Sequence, residues 1–251
     1  MAKLLHALSI KNVTADSADL YITGEILDDS YKNWFSQDAQ PVGYVFPADV
    51  KAALSELEDK NLTIYINSGG GDVMAGVGIA NMIKRHKCDT KAVVDGYAAS
   101  IATQIFFSAK KRCMPKNTWL MIHKPSTCAA GNADDLMRAV EALDCIQTGL
   151  EATYNEHILD GVTEKDIHKM VNKGEWLTGA DAAKYFDIEL LDPIEAVAAA
   201  DEVFMNFKNR PIELHYQRPA NEPAENIAEI AAKRAKIQAA LALAEEDLKD
   251  E

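Results

Sequence analysis

Lysine and arginine are scarce relative to the acids: 26 basic against 39 acidic residues give a net charge of −13 over 251 residues. Such a balance argues against a general nucleic-acid binder, which needs a basic footprint for phosphate. Cysteine is also sparse. Cys88, Cys113, Cys128 and Cys145 lie far apart with no C-x-x-C pair, so neither a zinc site nor a redox motif is suggested, and reduced thiols in a cytoplasm are expected. No apolar run is long enough to cross a membrane. The apolar stretch at 4–10 is too brief for a signal-peptide core and lacks a small-residue cleavage site, so the protein is expected to act where it is made, in the cytoplasm. No G-x-x-x-x-G-K-[ST] phosphate loop follows the glycine cluster, which excludes a P-loop ATPase. The G-x-S-x-G spelling of a nucleophile elbow is missing too.

A serine set among small residues, Gly96-Tyr-Ala-Ala-Ser-Ile-Ala102, is present. It is preceded by Asn67-Ser-Gly-Gly-Gly-Asp-Val73 and followed by Met121-Ile-His-Lys-Pro125. A serine hydroxyl is a poor nucleophile unless a base takes its proton and backbone N–H groups hold the oxyanion. Residues 91–95 read as a strand and 101–107 as a buried helix, which places Ser100 at a strand-to-helix turn. The N–H of Ile101 then follows the nucleophile directly. The strand 118–122 ends at His123, a rigid place from which to project an imidazole. The glycines after the strand 62–66 permit close backbone approach, so Gly70 or Gly71 can present a second N–H. Taken singly, each part is equally a packing feature: a serine at a helix start, a histidine at a strand end, a glycine turn.

Short strands alternate with helical segments, as in an α/β domain. Helices are expected over 48–57, 73–85 and 132–158. In the last, Leu136, Val140, Leu143, Ile146, Leu150 and Tyr154 form one apolar stripe. Residues 27–46 carry Trp34, Phe35, Tyr44 and Phe46 and read either as a loop at a mouth or as core. Prolines at 211, 219 and 223 interrupt regular structure. Beyond them the composition returns to helix formers. The expected division is a domain over 1–201 and a linker with a helical C-terminal tail over 202–251.

The motifs at 66–73, 96–102, 114–115 and 121–125, in that order, resemble the signatures of the Clp protease proteolytic subunit family (ClpP). Trp176-Leu-Thr-Gly-Ala-Asp-Ala-Ala-Lys-Tyr-Phe-Asp187 is similar to a later family segment, and the likeness covers about 20–193. The form with added terminal regions is most like the ClpP-related head-maturation proteases of tailed phages. The resemblance implies a crotonase-like fold of repeated β-β-α units with a long handle helix that joins two rings. It implies a serine endopeptidase without cofactor or metal, acting inside a homo-oligomeric ring on polypeptides, with capsid or scaffold proteins as candidate substrates. No nucleic-acid or membrane partner is implied, and docking of an unfoldase is left open.

Carried over, the resemblance makes Ser100 the nucleophile, His123 the general base, and the N–H groups of Gly71 and Ile101 the oxyanion donors. The sequence departs from the family at the third member. The family's acidic residue falls on Gly174, so neighbouring Glu175 is expected to orient His123, with Asn172 next in order and Asp166 on the preceding helix. A second departure is Gly69, where the family has proline. Two other classes stay open: a crotonase-fold enzyme acting on acyl-coenzyme A thioesters, and a catalytically weak or inactive interaction and assembly platform.

Overall fold

In the computed structural model, residues 7–34 and 43–193 are described. The chain divides into two units, 1–211 and 212–251, and all described residues belong to the first. The expected tail, the domain boundary at 201/202 and residues 35–42 of the aromatic segment 27–46 lie outside the described residues, while Phe46 of that segment is buried in the core.

The elements in chain order are β1 (Leu8–Lys11), β2 (Ser17–Ile26), a 3-10 turn (Asp29–Trp34), β3 (Tyr44–Val45), α1 (Pro47–Glu56), β4 (Asn61–Gly71) and α2 (Val73–Lys84). Then follow β5 (Thr90–Ala99), α3 (Ala102–Ser108), β6 (Lys111–Pro115), β7 (Trp119–Ile122), α4 (Ala133–Asn155), α5 (Glu164–Lys173), β8 (Glu175–Thr178), α6 (Gly179–Ala182) and β9 (Glu189–Leu191). One sheet runs β1-β2-β4-β5-β6-β9, with β3 on β2 and β7 bridging β5 and β8. Strands β2, β4, β5 and β6 are mutually parallel, while β1 and β8 are antiparallel to their neighbours.

Local chemistry sets the helix boundaries. Pro47 opens α1, where its missing N–H costs nothing. The Asp72 carboxylate caps α2 by accepting the Ala75 N–H at 2.7 Å. Asn132 with Asp135, and Thr163 with Asp166, form capping boxes on α4 and α5. Gly174 ends α5 in the left-handed region at φ 70°.

Strand β5 is the spine. It is buried along nearly its whole length and pairs with β6 through residues 91–93, then with β7 through 97–99. This change of partner parts the sheet on one side of β5 and delivers the chain to Ser100 alongside Met121. Helix α2 covers the turn closely: a Cβ at Gly76 would collide with the side chain of Ile101, which is buried.

The stripe on α4 is only half used. Leu150 and Tyr154 are buried, but Leu136, Met137 and Val140 at the other end are exposed. The periodicity therefore marks one face of the helix, not one packed against this chain's own sheet.

Gly76→Ala is expected to destabilise the protein by about 1–3 kcal/mol through overpacking against Ile101. The shift of the urea midpoint measures it, and an unchanged midpoint would show that Ile101 can retreat at no cost.

Candidate active site

The nucleophile turn is built from backbone constraints. Ser100 has φ 55°, a left-handed conformation that costs a non-glycine residue about 1–2 kcal/mol. Its N–H donates to the Met121 carbonyl at 2.9 Å, and its own carbonyl accepts the Thr103 N–H at 3.0 Å. Between these two anchors the chain turns sharply, and the side chain is thrown clear of the sheet. His123, just past the end of β7, meets it there: Nε2 lies 2.8 Å from Ser100 Oγ. The ladder between β5 and β7 sets this distance, since Ala99 pairs with Met121.

Burial is the cause that pushes the His123 imidazole below its ordinary value of 6.5. At neutral pH the ring is therefore neutral. With the ring proton on Nδ1, Nε2 accepts from the Ser100 hydroxyl and is placed to take its proton.

The glycine loop lies directly over the turn. Gly70, at φ 90°, sits so close that a Cβ there would come within 2.9 Å of Ser100 Cβ and 3.0 Å of the Ile101 nitrogen. Gly71, at φ 144°, would drive a Cβ into the Ile26 carbonyl. Only glycine fits either place. Buried Ser68 braces the loop, donating to the Gly24 carbonyl at 2.5 Å and accepting the Gly70 N–H at 3.1 Å. Residues 70 and 71 continue the ladder with Glu25 and Ile26, so the glycines are strand as much as turn. Gly69 is not among the positive-φ glycines, so that position does not itself demand glycine. The Ile101 N–H makes no hydrogen bond among the described residues, which leaves a donor beside the nucleophile.

The candidates for the third member are placed differently from expectation. The Glu175 carboxylate pairs with Lys173 Nζ at 2.7–3.0 Å. Its strand register sets it across from Ile122 rather than His123. The Asn172 side-chain carbonyl accepts from Gln147 of α4 at 3.3 Å. Asp166 is spent on capping α5 through Thr163. None of the three supplies an oxygen to His123. The β7–β8 register ends at the pair of Ile122 with Glu175, and Gly174 and His123 are the next residues beyond it on the two strands. Among the described residues no group of three His, Cys, Asp or Glu side chains could hold a metal ion.

The sequence profile described as Clp protease matches residues 46–189, a span holding the glycine loop, Ser100 and His123. The chain belongs to the Clp protease family. Among curated members of this Clp protease family, the Streptococcus mutans ATP-dependent Clp protease proteolytic subunit is 33% identical over 130 residues, 50% of this chain and 65% of that protein. The chloroplastic proteolytic subunit 3 of Arabidopsis thaliana is 29% identical over 134 residues, 52% of this chain and 42% of its own length. The Porphyromonas gingivalis proteolytic subunit is 30% identical over 128 residues, 50% of this chain and 57% of that protein. The chain thus spans less than two thirds of the curated Clp protease relatives it matches. The mixed α/β sheet with its parallel centre is consistent with the fold of the family.

Two residues in this site escaped sequence reasoning, Thr103 and Tyr154. Thr103 bonds to the Ser100 carbonyl and Tyr154 bonds to Thr103, both from positions that carry no motif.

Because burial depresses the His123 pKa, the acid limb of labelling by a fluorophosphonate is expected to lie below pH 6.5. Between that lowered value and 6.5 an ordinary imidazole would already be largely protonated. A limb at or above 6.5 would show that the ring is charged more easily than its burial implies. Glu175→Gln is expected to change the turnover of a peptide substrate by less than about threefold, since its carboxylate serves Lys173. Gly174→Asp, one residue beyond the last β7–β8 pair, is expected to raise kcat severalfold by placing a carboxylate near the imidazolium that forms on His123. The left-handed backbone there would cost that variant about 1 kcal/mol of stability. A large loss in Glu175→Gln with no gain in Gly174→Asp would return the orienting role to Glu175.

Proposed function

We propose that this chain is a serine endopeptidase that hydrolyses peptide bonds through an acyl-enzyme formed on Ser100. The observation that carries this is the 2.8 Å contact between Ser100 Oγ and His123 Nε2 beside the unengaged Ile101 N–H. Ser100 Oγ attacks the substrate carbonyl carbon as His123 Nε2 takes its proton. The N–H groups of Ile101 and Gly71 receive the oxyanion. The His123 imidazolium then returns the proton to the leaving amine, and the carbon–nitrogen bond breaks. Water, deprotonated by the same ring, releases the acyl group and restores Ser100.

The reading extends to assembly. Exposed Leu136, Met137 and Val140 on α4 suit a helix that is covered by another copy, as the handle of a homo-oligomeric ring is. Enclosure in such a ring would make access the filter for polypeptide substrates. The relatives are named as proteolytic subunits of ATP-dependent proteases. Capsid or scaffold proteins are the proposed substrates, on the likeness to phage head-maturation proteases, and the cytoplasm is the proposed place of action.

A second reading, a catalytically weak assembly platform, is favoured by the engagement of Glu175, Asn172 and Asp166 away from His123. Fluorophosphonate separates the two, because a platform without a working nucleophile would not be labelled at Ser100.

Ser100→Ala and His123→Ala are each expected to lower peptide hydrolysis by about a thousandfold or more, and the double variant little further, because nucleophile and base act as a unit. Sedimentation should give all three the particle size of the parent. Hydrolysis by Ser100→Ala at the parental rate, or a double variant far slower than either single one, would overturn the assignment.

A further inference from the structure

Thr103 and Tyr154 are tied to the nucleophile turn by a chain of hydrogen bonds. Thr103 Oγ1 donates to the Ser100 carbonyl at 2.6 Å and lies 2.6 Å from Tyr154 Oη. The proton count gives the chain a direction. A carbonyl can only accept, so Thr103 gives its single hydroxyl proton to Ser100, and the proton between the two hydroxyls must come from Tyr154. A threonine bonding back to the carbonyl three residues before it is ordinary at a helix start. The phenol that completes the chain is not local, for it comes from α4, 51 positions away. It is fully buried, and its ring is held edge-on against Phe107 and tilted against Phe186. A second bond runs beside it, from Gln104 Nε2 to the Leu150 carbonyl at 3.2 Å.

The Ser100 carbonyl and the Ile101 N–H are opposite ends of one peptide unit. In a planar trans peptide the two bonds point in opposite directions, so whatever aims the carbonyl also aims the N–H. Ser100 is in a strained left-handed conformation, and such a conformation persists only where its surroundings fix it. Its N–H is fixed by Met121 and its carbonyl by Thr103.

We propose that Thr103 and Tyr154 are positioning residues that hold the Ser100–Ile101 peptide so that the Ile101 N–H points at the developing oxyanion. This rests on the reading of Ser100 as nucleophile. Neither residue touches substrate. Their effect falls on the transition state, because an N–H turned aside loses most where charge builds up.

The test uses the full-length protein with a short fluorogenic peptide, and a peptide boronate as a mimic of the tetrahedral species. Thr103→Val keeps the shape and removes the hydroxyl. It is expected to lower kcat about tenfold while KM changes less than about twofold, less than the loss of an oxyanion donor outright. The boronate should bind more weakly by the factor lost from kcat/KM, while a non-covalent product peptide binds unchanged. Thr103→Ser should restore kcat to within about threefold. Tyr154→Phe should cost about threefold to tenfold, and adding it to Thr103→Val should cost less than about twofold more, since the two act in series.

Parental kcat in both Thr103→Val and Tyr154→Phe, a loss confined to KM, or failure of Thr103→Ser to restore the rate would overturn the assignment. If Thr103→Val does not fold, as its Tm reports, Tyr154→Phe decides alone by the same split of kcat from KM. Ser100→Ala separates this failure from that of the peptidase reading. An inactive Ser100→Ala beside fully active Thr103 and Tyr154 variants refutes only the positioning role. An active Ser100→Ala refutes both.

Discussion

One backbone conformation governs the rest of the site: the left-handed turn at Ser100. It is unfavourable in isolation, and the surrounding fold is arranged to hold it. Strand β5 reaches the turn by leaving β6 and taking β7 as its neighbour, and the same exchange brings His123 within hydrogen-bonding distance. Gly70 makes room above it, and Gly76 makes room for the buried side chain of Ile101 beside it. A Cβ at Gly70 would press on Ala99 and Ser100, and one at Gly76 on Ile101.

The polar groups near this turn divide by burial. Inside, Thr103, Tyr154, Ser68 and Gln104 each find a partner in hydrogen-bonded pairs or chains, as buried polar groups must. Toward the outside, Glu175 and Lys173 form an ion pair, which counts for little in water, and His168 Nδ1 lies within hydrogen-bonding distance of the Glu151 carboxylate. His123 lies at the border between these zones. Its burial favours the neutral ring, while Nε2 stays within hydrogen-bonding distance of the Ser100 hydroxyl.

Much of this was legible in the sequence, because the informative residues are close neighbours along the chain. The glycine loop, Ser100 and the strand ending in His123 are contiguous motifs, and their helices and strands begin within a few residues of the expected places. What escaped depends on distance or on which face a residue takes. The Thr103–Tyr154 contact joins segments far apart in sequence. Glu175 stands across from Ile122 and pairs with Lys173, a placement that adjacency in sequence does not give, because in a strand a shift by one residue reverses the face. The stripe on α4 was legible as a stripe, yet periodicity records which residues share a side and not what lies against them.

The placement of Ser100 at the end of β5 also bears on how the protein loses its structure. A buried central strand belongs to the last part of a fold to open, and its amides exchange with solvent only through the largest fluctuations. Fraying at the rim, at β1 or β9, leaves Ser100 and His123 in register. The Ser100–His123 contact and the core therefore share a single cooperative fate, and a molecule that still holds its centre together still holds that contact.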